Sequence, residues 1–245
     1  MTCQANQNFR ILEWDSAAFG FAVARIEILD HPVSQLPTLH LALRKERVTL
    51  AYWETPFGDA DCRLAAADCG GNLVNSRVLF ETALGSAPAH HCFQILNEPN
   101  GVQLEALEKL ALASGWMSRF AVDPNFPSRL FEKLYREWWA NSLKGQIADA
   151  ILVAGEGDVI DGMVTVAARA GRGQIGLFGV DAAARGKGVG KKLLKDALDW
   201  FAVNGCSTAS VVTQGENEAA MALYRSCGFN ISSHDDVFHF WNHYS

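Results

Sequence analysis

The chain has 245 residues, 49% of them hydrophobic and 20% charged, an ordinary globular composition with enough apolar residues to build a core. Its net charge of −6 excludes a broad nucleic-acid surface, so any basic binding site must be local. No apolar run approaches the roughly 20 residues of a membrane helix, the opening MTCQANQNFR has no signal-peptide core, and the six cysteines form no CxxC pair, as expected of reduced thiols in a cytoplasmic protein.

Taken in chain order, strands are expected near Ile11–Leu12 and Phe21–Ile28, a helix near Leu36–Arg47, and strands near Thr49–Trp53 and Val78–Glu81. The small, polar stretch GSAPAHH (85–91) reads as a boundary, dividing the chain into residues 1–89 and 90–245. Beyond it, Cys92–Leu96 reads as a strand and Val102–Ala113 as a helix. Pro124 and Pro127 make Ser118–Ser128 a loop, and Leu130–Ser142 carries a helical apolar stripe.

Strands follow at Ala150–Ala154, Val159–Arg169 and Gln174–Val180, with Asp161-Gly162 marking a bulge in the second. Val189, Leu193, Leu194, Ala197, Leu198 and Phe201 share one helix face, which Gly205 terminates. Ser207–Thr213 is a strand, Glu218–Ser226 a short helix ended by Gly228, and Phe229–Trp241 a terminal strand or hairpin. The fold class is α/β with a mixed sheet.

The most informative stretch is VDAAARGKGVGKK, from Val180 to Lys192, where a strand turns into a helix through three glycines and a cluster of cations. A helix N-terminus leaves backbone N–H groups unpaired and carries partial positive charge. Glycines let a phosphate approach those donors, so the combination suits a pyrophosphate. A Walker loop is excluded because Lys191 is followed by Lys192 rather than Ser or Thr. A dinucleotide fingerprint fails because Gly186, Gly188 and Gly190 miss its last spacing. A plain strand-to-helix turn with a solvated basic face stands as the alternative.

Arg185, Gly188 and Gly190 match the Q/R-x-x-G-x-G/A loop of the GNAT superfamily of acyl-CoA N-acyltransferases. Asn217 opens NEAAMALYRSCGF, 27 residues after Gly190, which resembles that superfamily's second signature, NxxAxxLYxxxGF. The resemblance implies a GNAT fold with a smaller N-terminal α/β lobe, and acetyl-CoA as co-substrate. It implies a strand that splays from its neighbour, with Phe178, Gly179 and Val180 along the pantetheine arm. Arg185, Gly186, Lys187, Gly188, Val189, Gly190 and Lys191 would take the pyrophosphate, and Asn217 would contact the arm.

Tyr224 is the implied general acid to the coenzyme A thiolate. A phenol near pKa ~10 outlasts a thiol near ~8.5 and stays protonated at neutral pH. The competing reading is a core tyrosine, since Ala220, Leu223, Tyr224 and Cys227 form an apolar helical stripe. No base can be named among seven scattered histidines. His90-His91-Cys92 are too close in sequence to converge on one ion, so no metal is expected.

Two further stretches narrow the resemblance. LEWDSAAFG, from Leu12, and MSRFAVDPNFPSRLFEKLYREWW, from Met117, resemble segments of the sugar-nucleotide N-acetyltransferases that act on dTDP-4-amino-4,6-dideoxygalactose (dTDP-fucosamine). The implied acceptor is a nucleotide-linked amino sugar, as used for bacterial surface polysaccharide. Arg119 would pair its diphosphate, and Trp14, Phe120, Tyr135 and Trp138 would offer faces to its rings. A loop salt bridge is the alternative for Arg119, and core packing for Trp138 and Trp139. Dimers occur in the family, so a homodimer is compatible. Other acceptors (a polyamine, a peptide, an antibiotic) and a non-catalytic acetyl-CoA sensor stay open from sequence.

Overall fold

The computed structural model describes residues 8–27, 29–86 and 93–242. The expected strand end at Ile28, the division at 89/90, most of GSAPAHH, and His90-His91-Cys92 lie outside the described residues. The elements in chain order are β1 (Phe9–Ile11), α1 (Glu13–Phe19), β2 (Val23–Ile26), α2 (Pro32–Lys45), β3 (Leu50–Pro56), α3 (Ala60–Asp68) and β4 (Asn72–Ala83). They continue with α4 (Gly101–Ser114), α5 (Arg119–Val122), α6 (Ser128–Leu143), β5 (Ala150–Glu156), β6 (Val159–Arg169), β7 (Arg172–Val180), α7 (Val189–Val203), β8 (Thr208–Gln214), α8 (Glu218–Ser226) and β9 (Asn230–Trp241).

The chain divides into two compact units. Unit one holds residues up to Arg77, Val122–Phe126 and the segment from His234; unit two holds Val78–Ala121 and Pro127–Ser233. In unit one the strand order is β1-β2-β3-β9. β1 pairs antiparallel with β2, β2 parallel with β3, and β3 antiparallel with β9 from Leu50↔Trp241 to Pro56↔Asp235. Leu36, Leu39 and Leu43 of α2 are buried at spacings of three and four, and they join Ala51, Trp53, Phe238 and Phe240 in one core. α1 and α3 carry no long apolar stripe. α3 buries only Cys62, Ala65 and Ala66, and it starts where Asp59 caps the Cys62 N–H at 2.8 Å.

In unit two the order is β4-β8-β7-β6-β5. β5, β6 and β7 run antiparallel, and β7 runs parallel to β8. The expected irregularity in β6 is present: Ala154 pairs Gly162 but Gly155 pairs Ile160, leaving Asp161 as the extra residue. A side chain at Gly173 would strike Phe201 of α7 at 2.4 Å, whereas one at Gly179 would meet Leu110 of α4 at 2.8 Å. The two helices therefore cover opposite faces of the sheet. Leu193, Leu194, Ala197 and Phe201 of α7 are buried in the core with Leu152, Val164, Val166 and Val211. Gly205, with φ +75°, follows the helix end as expected. No helix among the described residues is long and apolar enough to cross a membrane.

The loop between α4 and α6 contributes Val122–Phe126 to unit one. Asp123 is 2% exposed there, and its carboxylate accepts from His239 Nδ1 at 2.6 Å, Trp241 Nε1 at 2.8 Å and the Asn125 N–H at 2.9 Å. Phe126 adds an edge contact to Phe19 at 5.0 Å. Burial alone would raise the Asp123 pKa, but the hydrogen bonds from His239, Trp241 and Asn125 outweigh it and hold it below the usual carboxylate range. A depressed folded pKa contributes stability that is present above the unfolded value near ~3.9 and is lost as pH falls through the folded one. Asp123→Ala leaves buried donors without an acceptor. It should cost unit one about 2–3 kcal/mol in urea unfolding at neutral pH and flatten the acid limb of stability.

Candidate active site

The site is built from a strand that parts from its neighbour. β7 pairs with β8 from Arg172↔Thr208 to Ile175↔Val211, and the pairing ends there. β7 runs on to Val180 and β8 to Gln214. Along Phe178–Val180 the strand keeps its other partner, β6, through Val164, Met163 and Gly162. Successive peptide groups of a strand point to alternate edges, so those of β7 that face β8 have no ladder to join beyond Ile175.

At the open end of that gap lies the glycine turn. Asp181 accepts the Ala183 N–H at 2.8 Å and starts a single 3-10 turn, Ala182–Ala184. Gly186 and Gly188 then adopt φ +75° and +83°, with open space where a side chain would stand. Gly188 is the N-cap of α7 and has no side chain to cap it, so the N–H groups of Val189, Gly190 and Lys191 lack both an i−4 carbonyl and a cap. Lys192 is held by Asp196 at 2.6 Å, while no carboxylate among the described residues pairs with Lys187 or Lys191. Arg185 curls back, its Nε donating to the Val180 carbonyl at 3.3 Å. It also lines a cleft of about 450 Å³ with Glu105, Lys109 and Leu110 of α4.

The two signature segments meet at Gly190. A Cβ there would sit 3.3 Å from Leu223 Cδ2 and 3.6 Å from Val180 Cγ2, so the missing side chain lets α8 close on the first turn of α7. Asn217 caps α8, its Oδ1 accepting from the Ala220 N–H at 3.2 Å, which leaves its Nδ2 as the part that can serve a ligand. Two turns on from this cap, Tyr224 is 4% exposed, with its ring 5.6 Å from Phe80, 6.0 Å from Phe229 and 6.4 Å from Phe178. It is thus part of the core and also beside the parted end of β7. Burial raises its pKa above the ordinary phenol value, so the hydroxyl keeps its proton through neutral pH.

Of the acceptor candidates, Arg119, Phe120 and Tyr135 are neighbours in unit two. The Arg119 guanidinium lies over the Phe120 ring at 4.9 Å. Tyr135 is buried, its ring standing where a side chain on Gly115 would be. Burial raises its pKa, opposed by a hydrogen bond with Ser118 and the Arg119 charge. Trp14 lies in unit one on α1, 53% exposed. Trp138 is half-exposed and lines a second cavity, of about 190 Å³, with Thr165, Gly176 and Leu177; Trp139 is core. No cluster of three metal-ligating side chains occurs among the described residues. Sequence reasoning missed Thr165 and Gly176, which no motif flags, and the pairing of Asp123 with His239, which lie 116 positions apart.

Known proteins resemble this chain in sequence and in fold. Residues 114–229 match the profile of the Acetyltransferase (GNAT) family. The chain is similar to a dTDP-fucosamine acetyltransferase of Escherichia coli O6:H1, 26% identical over 91% of this chain and 93% of that one. It is also similar to the spore coat polysaccharide biosynthesis protein SpsD of Bacillus subtilis, 27% identical over 60% of this chain and 50% of that one. Its fold resembles the GCN5-related N-acetyltransferase from Sphaerobacter thermophilus, with a TM-score of 0.62 over 95% of this chain and 76% of that one, at 15% identity.

The turn yields a direct test. Gly188→Val forces a branched residue into the left-handed region at a strain of about 1–2 kcal/mol, and places carbon in front of the helix donors. Calorimetric affinity for coenzyme A should fall by about tenfold or more, with the circular dichroism spectrum unchanged.

Proposed function

We propose that this chain, an acyl-CoA-dependent N-acetyltransferase whose residues 114–229 form a GNAT acetyltransferase domain, moves the acetyl group of acetyl-CoA to the amine of a nucleotide-linked amino sugar. The observation that carries the reading is the gap between β7 and β8. It has helix donors and unpaired lysines at its mouth, and a protonated tyrosine against its wall.

In this reading the N–H groups of Val189, Gly190 and Lys191, with Lys187 and Arg185 nearby, take the coenzyme's diphosphate. The β7 peptide groups that lost β8 hydrogen-bond the pantetheine amides, as a further strand would. Asn217 Nδ2 meets the same arm. The thioester carbonyl then lies along β7, where the neutral amine attacks it directly, without a covalent enzyme intermediate. The carbonyl oxygen gains negative charge that a peptide N–H of the parted strand offsets. As the C–S bond breaks, the Tyr224 hydroxyl, the proposed general acid, donates a hydrogen bond to the sulfur, and the proton shed by the attacking amine neutralises the departing thiolate.

The acceptor class rests on two relatives. One is named a dTDP-fucosamine acetyltransferase and matches across nearly both whole chains; the other is named for spore coat polysaccharide biosynthesis. Arg119 is the group proposed for the acceptor's diphosphate, with the Phe120 ring beside it offering a face to its base or sugar; dTDP-4-amino-4,6-dideoxygalactose is the best match. The acidic net charge of −6 disfavours a nucleic-acid acceptor. Dependence on acetyl-CoA and the free thiols of Cys62, Cys69, Cys206 and Cys227 support a cytoplasmic site of action.

Incubating the protein with acetyl-CoA and a panel of dTDP- and UDP-amino sugars, while following thiol release, should give turnover on at least one dTDP-amino sugar. Turnover on a simple primary amine and on no nucleotide sugar would replace this acceptor class. With the true acceptor, Tyr224→Phe should lower kcat by about 10²–10³-fold at nearly unchanged KM. Because burial raises the phenol's pKa, the wild-type kcat should show no alkaline fall from Tyr224 below pH ~10.

A further inference from the structure

β7 changes phase halfway along its length. Val166 pairs Ile175, but Val164 pairs Phe178, so two residues of β7, Gly176 and Leu177, stand opposite the single residue Thr165 of β6. A slip of one residue moves every later side chain to the other face of a sheet. The glycines record it. Gly173 and Gly179 are six residues apart and would share a face in an unbroken strand, yet the first points at α7 and the second at α4. Phe178 and Val180 consequently join the core on the α7 and α8 side, together with Ile175. Without the bulge, Phe178 would face away from Tyr224.

One side chain holds this bulge closed. The Leu177 N–H donates to the Thr165 Oγ1 at 2.8 Å, and Thr165 is 3% exposed. Gly176 makes room for it: a Cβ there would stand 2.6 Å from that oxygen. The bulge begins one residue after the last β7–β8 pair, Ile175↔Val211. Thr165, Gly176 and Leu177 also share the cavity floored by Trp138.

We infer that Thr165 is a positioning residue for acetyl transfer, its hydroxyl and the bare Gly176 fixing the bulge that turns Phe178 toward Tyr224 and aims the β7 peptide groups into the gap. The inference rests on the reading of that gap as the acyl-CoA site. Thr165 acts through Leu177 and touches no reacting atom.

The test separates the oxygen from the shape. Thr165→Val keeps the branched shape and removes the acceptor; Thr165→Ser keeps the acceptor and loses the methyl. Amide exchange at Leu177, followed by NMR, should speed up in Thr165→Val and stay slow in Thr165→Ser. Acetyl-CoA-dependent kcat should fall by about 10- to 100-fold in Thr165→Val, the penalty for ångström-scale misplacement, and recover in Thr165→Ser, with KM for acetyl-CoA moving far less. Should Thr165→Val fold poorly, Gly176→Ala, which crowds the same oxygen, should give the same fall in kcat. Normal exchange and normal kcat in Thr165→Val overturn the proposal, as does a Thr165→Ser variant no better than Thr165→Val. If coenzyme A instead leaves the amides of 176–180 and 189–191 unshifted in the wild-type protein, it is the acyl-CoA reading that fails, whatever the exchange at Leu177.

Discussion

A backbone that stops pairing must be satisfied by something else. That constraint, applied to β7 beyond Ile175, organises unit two. An unpaired peptide group shut away from water costs about 1–3 kcal/mol, so a strand cannot leave its neighbour inside a sealed core. Here the loss is confined to one edge. The other edge of β7 stays bonded to β6 as far as Val180, and α4 and α7 close the two faces. The gap is therefore bordered by β7 and two helices, leaving its unpaired peptide groups to water or to an extended ligand with amides of its own. Strand-like ligands bind such edges through main-chain hydrogen bonds, and the pantetheine arm has the amides to do so.

The glycine turn and α8 are consequences of the same parting. β7 and β8 are parallel, so the chain must cross between them, and α7 is that crossover. The glycine turn folds its first turn back against the end of β7, where a Cβ on Gly190 would lie 3.6 Å from Val180 Cγ2, so helix donors stand at the mouth of the gap. α8 follows β8 directly, and the absence of a side chain on Gly190 lets Leu223 pack against it. That contact carries Tyr224 to Phe178. The two signature segments, 27 residues apart in the chain, are thus one device, and neither has its full meaning without the strand between them.

How much of this could be read from the residues follows from how local each determinant is. α7 and α8 were readable to within a residue or two because their apolar stripes and terminating glycines are contiguous. The bulge in β6 was readable from a glycine inside an apolar run, since glycine interrupts a strand by itself. α1 and α3 were not, because short helices of small or mixed residues leave no stripe to find. The second bulge was hidden for a different reason. Gly176 lies among the alternating glycines of GQIGLFGV, and only pairing with β6 distinguishes it from Gly173 and Gly179. Asp123 shows the same limit, since its partners His239 and Trp241 lie more than a hundred residues away. Long-range partners leave no spacing signal in a single sequence.

The burial of Tyr224 bears on how the proposed acid would act. A phenol whose pKa lies above ~10 and a thiol near ~8.5 differ by at least 1.5 units, so complete transfer of the proton to sulfur is uphill by about 2 kcal/mol or more. Donating a hydrogen bond to the departing thiolate carries no such penalty and is strengthened by the apolar ring of Phe80, Phe178 and Phe229. The attacking amine, once bonded to carbon, carries a surplus proton that is far more acidic than either group. The thiolate can take that proton as it leaves, and the tyrosine ends the cycle as it began it, protonated. On this account the hydroxyl needs no base to reset it, which accords with a site whose sequence offered no histidine for that task. The same burial that makes Tyr224 look like an ordinary core residue would, in the proposed role, suit it to donate without ionising.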